Sequence, residues 1–140
     1  MTIRGCTFRN NVGGRDALSR SFDAGGVSKL EGSGGAVYTD GATLIEDTIF
    51  SGNQAAEGGA IGSAKSTNLY FTADAVGPST GELRVLRCTF SDDEAFKQGG
   101  GAIKSPMGGR LLIEGSVFER NRATNVGGGA PDGGALQVED

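Results

Sequence analysis

Apolar residues along this chain fall in short alternating runs that restart at a fixed phase from a phenylalanine. Seven and five positions before Phe8, Phe50, Phe90 and Phe118 stand Met1 and Ile3, Thr43 and Ile45, Leu83 and Val85, and Leu111 and Ile113. A spacing of two puts each pair on one face of a strand. The Phe shares its own face with the residue two before it, which is Cys6, Thr48, Cys88 or Ser116, so a second short strand is expected after a bend at Gly5, Asp47, Arg87 and Gly115. A third strand follows each Gly-Gly-Ala. In it Val37, Ile61, Ile103 and Leu136 are expected to point inward and the preceding alanines outward, because Tyr38, Gly62, Lys104 and Gln137 are a poor set for a core. Pro131 cannot donate to a sheet ladder, so the last of these strands is placed at Ala135 to Val138.

Short strands joined by bends, with Gly-Gly pairs interrupting every helical candidate, exclude a doubly wound sheet. A repeat unit that cannot bury its own apolar face must stack on its neighbours. The pattern therefore predicts an all-β solenoid, a parallel β-helix of about four incomplete coils with three parallel sheets around a narrow core. The spacing is uneven: Phe50 to Ala60 is 10 residues but Phe8 to Ala36 is 28, and Ala36 to Phe50 is 14 but Ala60 to Phe90 is 30. A basic coil of about 24 to 28 residues has thus received two loop insertions, within 13–34 and within 63–82. The second carries Leu69, Tyr70 and Phe71, a trio able to add a short strand or pack on the coil wall. The whole of 1–140 reads as one domain, a segment of a longer solenoid or a subunit of an assembly.

Composition sharpens this picture. Twenty-six glycines would ordinarily suggest disorder, but here they recur at fixed repeat positions and read as turn residues. A net charge of −4 argues against a nucleic-acid groove or an anionic membrane surface as partner. The chain has no His, which removes the commonest general base and metal ligand. Cys6 and Cys88 fill the same repeat position with Thr48 between them, so they should lie roughly 9 to 10 Å apart, beyond disulfide reach, as free core residues. No apolar run approaches the length of a membrane-spanning helix.

Three positions after each Phe stand Asn11, Asn53, Asp93 and Asn121. Stacked asparagine amides bond to one another and to backbone, so this row is expected to be a polar ladder holding a turn, with Asp93 accepting from the amides of Asn53 and Asn121. Asp92, Asp93 and Glu94 are the one tight acidic cluster, and the next repeat places Arg120 and Arg122 opposite Asp92 and Glu94. Exposed ion pairs that set register account for this. The enzymatic alternative is a carboxylate and arginine site of the kind β-helix polysaccharide lyases use, with calcium on the acids. Against it, Gly52 and Gln54 occupy the matching places on the other side, leaving no second carboxylate row. Leu44, Ile49, Leu112 and Val117 fall on outward positions and form a candidate partner face.

The pairing of Gly58 to Ile61 with Phe50 and Asn53, and of Gly34 to Val37 with Phe8 and Asn11, resembles the GGA[IVL] and FxxN repeats of polymorphic outer membrane proteins. It is similar also to the wider group of right-handed β-helices of pectin-lyase type. The resemblance implies a right-handed coil and, by analogy with passenger domains, surface display and adhesion; the chain is read as a scaffold without catalysis or cofactor. No lyase catalytic set carries over onto these residues. The implied setting is extracellular or at a cell surface, with an organelle lumen or a membrane-associated complex as alternatives. The expected partners are other protein subunits, further coils of the same protein, or surface glycans. Unpaired strand edges at the first and last repeats invite another chain to add strands, and Leu18, Phe22, Val27 and Leu30 of the first insertion are the candidate cap.

Overall fold

Each alternating run becomes a strand, and each strand lies over the equivalent strand of the next repeat. The structure, a computed structural model, describes residues 1–13, 21–22, 28–29, 34–39, 41–63, 82–97, 99–105, 110–124 and 133–138. The described residues are all-β, with no helix. Their parallel strands form four walls. The first wall stacks Thr2–Arg4, Thr43–Glu46, Glu82–Leu86 and Arg110–Glu114, and the second stacks Thr7–Arg9, Ile49–Ser51, Thr89–Ser91 and Val117–Glu119. The third holds Gln54–Ala55, Glu94–Ala95 and Arg122–Ala123, extended by a bridge from Val12 to Gln54. The fourth stacks Val37–Thr39, Ile61–Ser63, Ile103–Ser105 and Leu136–Val138. Strands at one level of the walls make a rung, numbered one to four along the chain. This stacked parallel arrangement is consistent with a β-helix.

The third wall departs from the three sheets expected. Immediately after the polar ladder residue the chain stays extended long enough for the amides of Gln54, Glu94 and Arg122 to donate to the carbonyls of Asn11, Asn53 and Asp93 one rung away. Strands of two residues are too short to write an alternation into the sequence. A second departure is the short antiparallel hairpin of Ser21–Phe22 with Ser28–Lys29 in the first insertion. Of the residues expected to cap or pack, Leu18, Val27, Leu30, Leu69, Tyr70 and Phe71 lie outside the described residues, as does Pro131.

Corners are set by backbone sign. One corner carries Gly5, Asp47, Arg87 and Gly115 at φ between 50° and 61°, and the next carries Asn10, Gly52, Asp92 and Arg120 at φ between 53° and 66°. Each is a single left-handed residue, which redirects the chain without lengthening the rung.

The glycine pairs have a different role. A Cβ on Gly59 would collide with the carbonyl oxygen of Gly101, as one on Gly101 would with that of Gly134. Consecutive rungs meet here backbone to backbone. The alanines that follow do not point outward as expected: Ala60 and Ala102 are fully buried and belong to the core. The reason is that the amides of Ala60 and Ile61 both donate to the one carbonyl of Ala102, each at 2.9 Å, so the chain is bent there and the period of two has not yet begun.

The core runs along the stack. Ile45, Phe50, Ile61, Val85, Phe90 and Ile103 are completely buried, whereas Ile3, Phe8, Ile113, Phe118 and Leu136 on the outer rungs are only partly covered. Cys88 is a buried free thiol of this core; Cys6, expected there too, is exposed because no rung lies beyond it among the described residues.

Candidate functional site

Register in the second wall pairs Phe8 with Phe50, Phe50 with Phe90, and Phe90 with Phe118. The rings stack in one column with centroid separations of 5.1, 4.8 and 4.7 Å and interplanar angles of 9°, 1° and 3°. Ring separation therefore equals strand separation, which is what a column of identical side chains on parallel in-register strands requires.

Beside the rings runs the polar row. Asn11 Nδ2 donates to Asn53 Oδ1 at 2.9 Å, and Asn53 Nδ2 donates to Asp93 Oδ1 at 2.9 Å and to the Phe8 carbonyl at 3.2 Å. The Asn53 N–H donates to the same Asp93 oxygen at 2.8 Å, and the Asp93 N–H to Asn121 Oδ1 at 2.9 Å. The second amide expected at Asp93 goes elsewhere: Asn121 Nδ2 donates to the Phe90 carbonyl at 3.0 Å, as Asn53 Nδ2 does to that of Phe8, each reaching back to the Phe of the preceding rung. Asp93 Oδ2 takes the place of such an amide nitrogen. It is buried and finds no hydrogen-bond partner among the described residues. Burial pushes the Asp93 carboxyl up to about 6, against the lowering effect of the bonds from Asn53.

Charged side chains outside the walls pair from rung to rung. Arg120 forms a forked pair with Asp92 at 2.7 and 2.9 Å, and Arg122 reaches Glu94 at 2.9 Å. Glu94 also accepts from the Thr124 hydroxyl at 3.0 Å. Another column runs from Arg4 through Glu46 to Arg87, which also grips Asp47 at 2.7 and 2.9 Å. The hydrogen bond from Arg120 holds Asp92 below the usual carboxylate range, and that from Arg87 does the same for Asp47. Asp92 and Glu94 are thus committed to arginines of the next rung, while Asp93 lies in the buried polar row. Among the described residues no group of three or more His, Cys, Asp or Glu side chains is arranged to hold a metal ion.

One pair escaped sequence reasoning. Lys104 Nζ lies 2.9 Å from Glu57 Oε2, with both side chains largely buried beside the glycine corner. The two occupy different places relative to their Gly-Gly-Ala, so aligning the repeats keeps them apart; only the rung geometry brings them together.

On the outward positions, Ile49, Leu112 and Val117 are 41%, 40% and 48% exposed, while Leu44 is half-buried. Register places Arg84 between Leu44 and Leu112, and Thr89 between Ile49 and Val117. The candidate face is therefore two apolar columns, each interrupted once by a polar residue.

Fold and site together define a stacked repeat protein of parallel β-strands, internally braced by side-chain ladders. The family model for the Chlamydia polymorphic membrane protein repeat matches residues 47–64, the second rung from its corner at Asp47. No curated protein and no solved structure matches the chain. No helix among the described residues is long and apolar enough to cross a membrane.

Proposed function

We propose that residues 1–140 form a single right-handed parallel β-helix of about four incomplete coils, related to the pectin-lyase-like group, that serves as a non-enzymatic scaffold. Its walls and inserted loops bind other protein subunits or surface glycans in adhesion at a cell surface. The observation that carries this reading is the repeat match at 47–64, whose name is that of a membrane-protein repeat. The chemistry agrees with it. The carboxylates nearest a lyase-like arrangement, Asp92 and Glu94, are held by Arg120 and Arg122, and Asp92 is kept anionic, which suits bracing rather than proton transfer.

Beads coated with the chain test it. Retention on cultured cells or immobilised glycans that falls for Leu112→Asp combined with Val117→Asp supports the scaffold. Calcium-dependent turnover of a polyuronate that vanishes in Asp92→Asn would establish the lyase alternative instead.

A further inference from the structure

The first and last of the described rungs are complementary to each other. Rung one presents Arg4 and Arg9, with no carboxylate in residues 1–13. Rung four presents Glu114 and Glu119 at the same two repeat positions, four before and one after the Phe. Within the chain those rows already pair rung to rung: Arg4 opposes Glu46 in the register of the first wall, and Arg9 opposes Ser51 in the second. A rung one placed beyond rung four in that register sets Arg4 against Glu114 and Arg9 against Glu119.

The other rows agree. Phe8 would stack on Phe118 and Ile3 on Ile113, covering side chains that are only partly buried. Asn121 Nδ2 and N–H would donate to Asn11 Oδ1, as Asn53 does to Asp93 Oδ1. Arg122 stays turned inward on Glu94, and Arg120 on Asp92 with a 3.4 Å contact to Glu119 of its own rung; neither opposes a cation, since their register partners on rung one are Asn10 and Val12.

A glycine supplies an independent observation. Gly35, Gly59 and Gly101 each lack the room for a Cβ, because the carbonyl of the equivalent glycine on the next rung occupies it. Gly134 is the fourth member of that row, yet among the described residues a Cβ there would meet nothing closer than the Asn121 carbonyl oxygen at 3.9 Å. It keeps clearance for a carbonyl that the chain's own described residues do not supply. The equivalent carbonyl on an added rung one belongs to Gly35.

We infer that rung four of this chain docks rung one of a second copy in continued register, through Glu114 and Glu119 with Arg4 and Arg9, the phenylalanine column and the cleft over Gly134. The occupant is a second copy because both halves of the match are carried by one chain. Such a contact joins unlike ends, so it does not close on a two-fold axis and propagates as an open stack. The inference rests on the scaffold reading and names one partner of it.

Sedimentation of the 140-residue chain over a wide concentration range tests the docking, with circular dichroism to verify folding of every variant. The wild type is expected to grow in mass with concentration. Gly134→Ala meets no described atom of the single chain closer than 3.9 Å but blocks the cleft, so it should fold normally and remain monomeric. Arg9→Glu and Glu119→Arg should each weaken association by about tenfold or more, since charge reversal sets like charges against each other. An equimolar mixture of those two variants should associate again, because every contact between unlike variants then joins opposite charges at positions 9 and 119. A wild type that stays monomeric throughout, association indifferent to Gly134→Ala, or a mixture no better than its components each overturns the inference. Bead adhesion retained by a monomeric chain would leave the scaffold reading standing while this one fails.

Discussion

Asn53 Nδ2 lies 2.9 Å from Asp93 Oδ1 inside the stack, joining two fully buried polar residues that the sequence separates by forty positions. An amide would complete the row at Asp93 as it does on either side. A carboxylate instead turns a second acceptor, Oδ2, toward the place from which neighbouring amides donate to Phe8 and Phe90 carbonyls.

Protonating Asp93 converts that oxygen into a donor. With the folded carboxyl raised from 3.8 to about 6, the folded chain binds the proton more tightly than the unfolded chain. The stabilisation is complete below the unfolded value and is lost as pH rises through the folded one. Asp47 and Asp92, held low by their arginines, stay ionised between pH ~5 and ~7 and do not mask the effect. Thermal melts are expected to show a higher Tm at the acid end of that window. Asp93→Asn should remove the slope and stabilise the chain at neutral pH by roughly 1 to 2 kcal/mol, the scale of a satisfied buried bond. A variant less stable than wild type at neutral pH would contradict this account.

Position in the ring column sets the cost of truncation. Phe50 is stacked on both sides and wholly buried, so Phe50→Ala should lose about 3 to 5 kcal/mol in urea unfolding. Phe118 has one ring neighbour and is partly exposed, so Phe118→Ala should lose clearly less. Equal losses would mean that the column does not cooperate along its length.

Backbone contact between rungs makes some glycines irreplaceable and others not. Gly59→Ala places a methyl group on the Gly101 carbonyl and should cost at least about 1 to 3 kcal/mol, as overpacking does. Gly41→Ala meets nothing within 4 Å among the described residues and should be neutral or slightly stabilising through the unfolded state. Paired chemical denaturation curves separate the two.

Thiol reactivity should divide the cysteines. Cys6 is exposed, while burial both shields Cys88 and pushes its thiol up, so it forms little thiolate. An aromatic disulfide reagent is expected to titrate one thiol promptly and the second only on unfolding. Prompt reaction of both would place Cys88 outside the core.

Register was legible in the chain alone. Aligning the phenylalanines puts Ile3 on Ile45, Val85 on Ile113 and Ile103 on Leu136, and the walls pair them so, because a period of two with one buried face leaves no freedom to slip by one residue. The same alignment put Arg120 opposite Asp92, since equivalent positions on stacked strands are neighbours. Folding in three dimensions settled the matters in which that equivalence fails. Ala60 and Ala102 turned inward at a bend that has no periodicity to read. A wall of two-residue strands formed on backbone bonds that no alternation announces, and Lys104 met Glu57 across unequal repeat positions. The side that Asp93 Oδ2 faces follows from which way the amides of one column point, a choice made jointly by all its members and written in none of them singly.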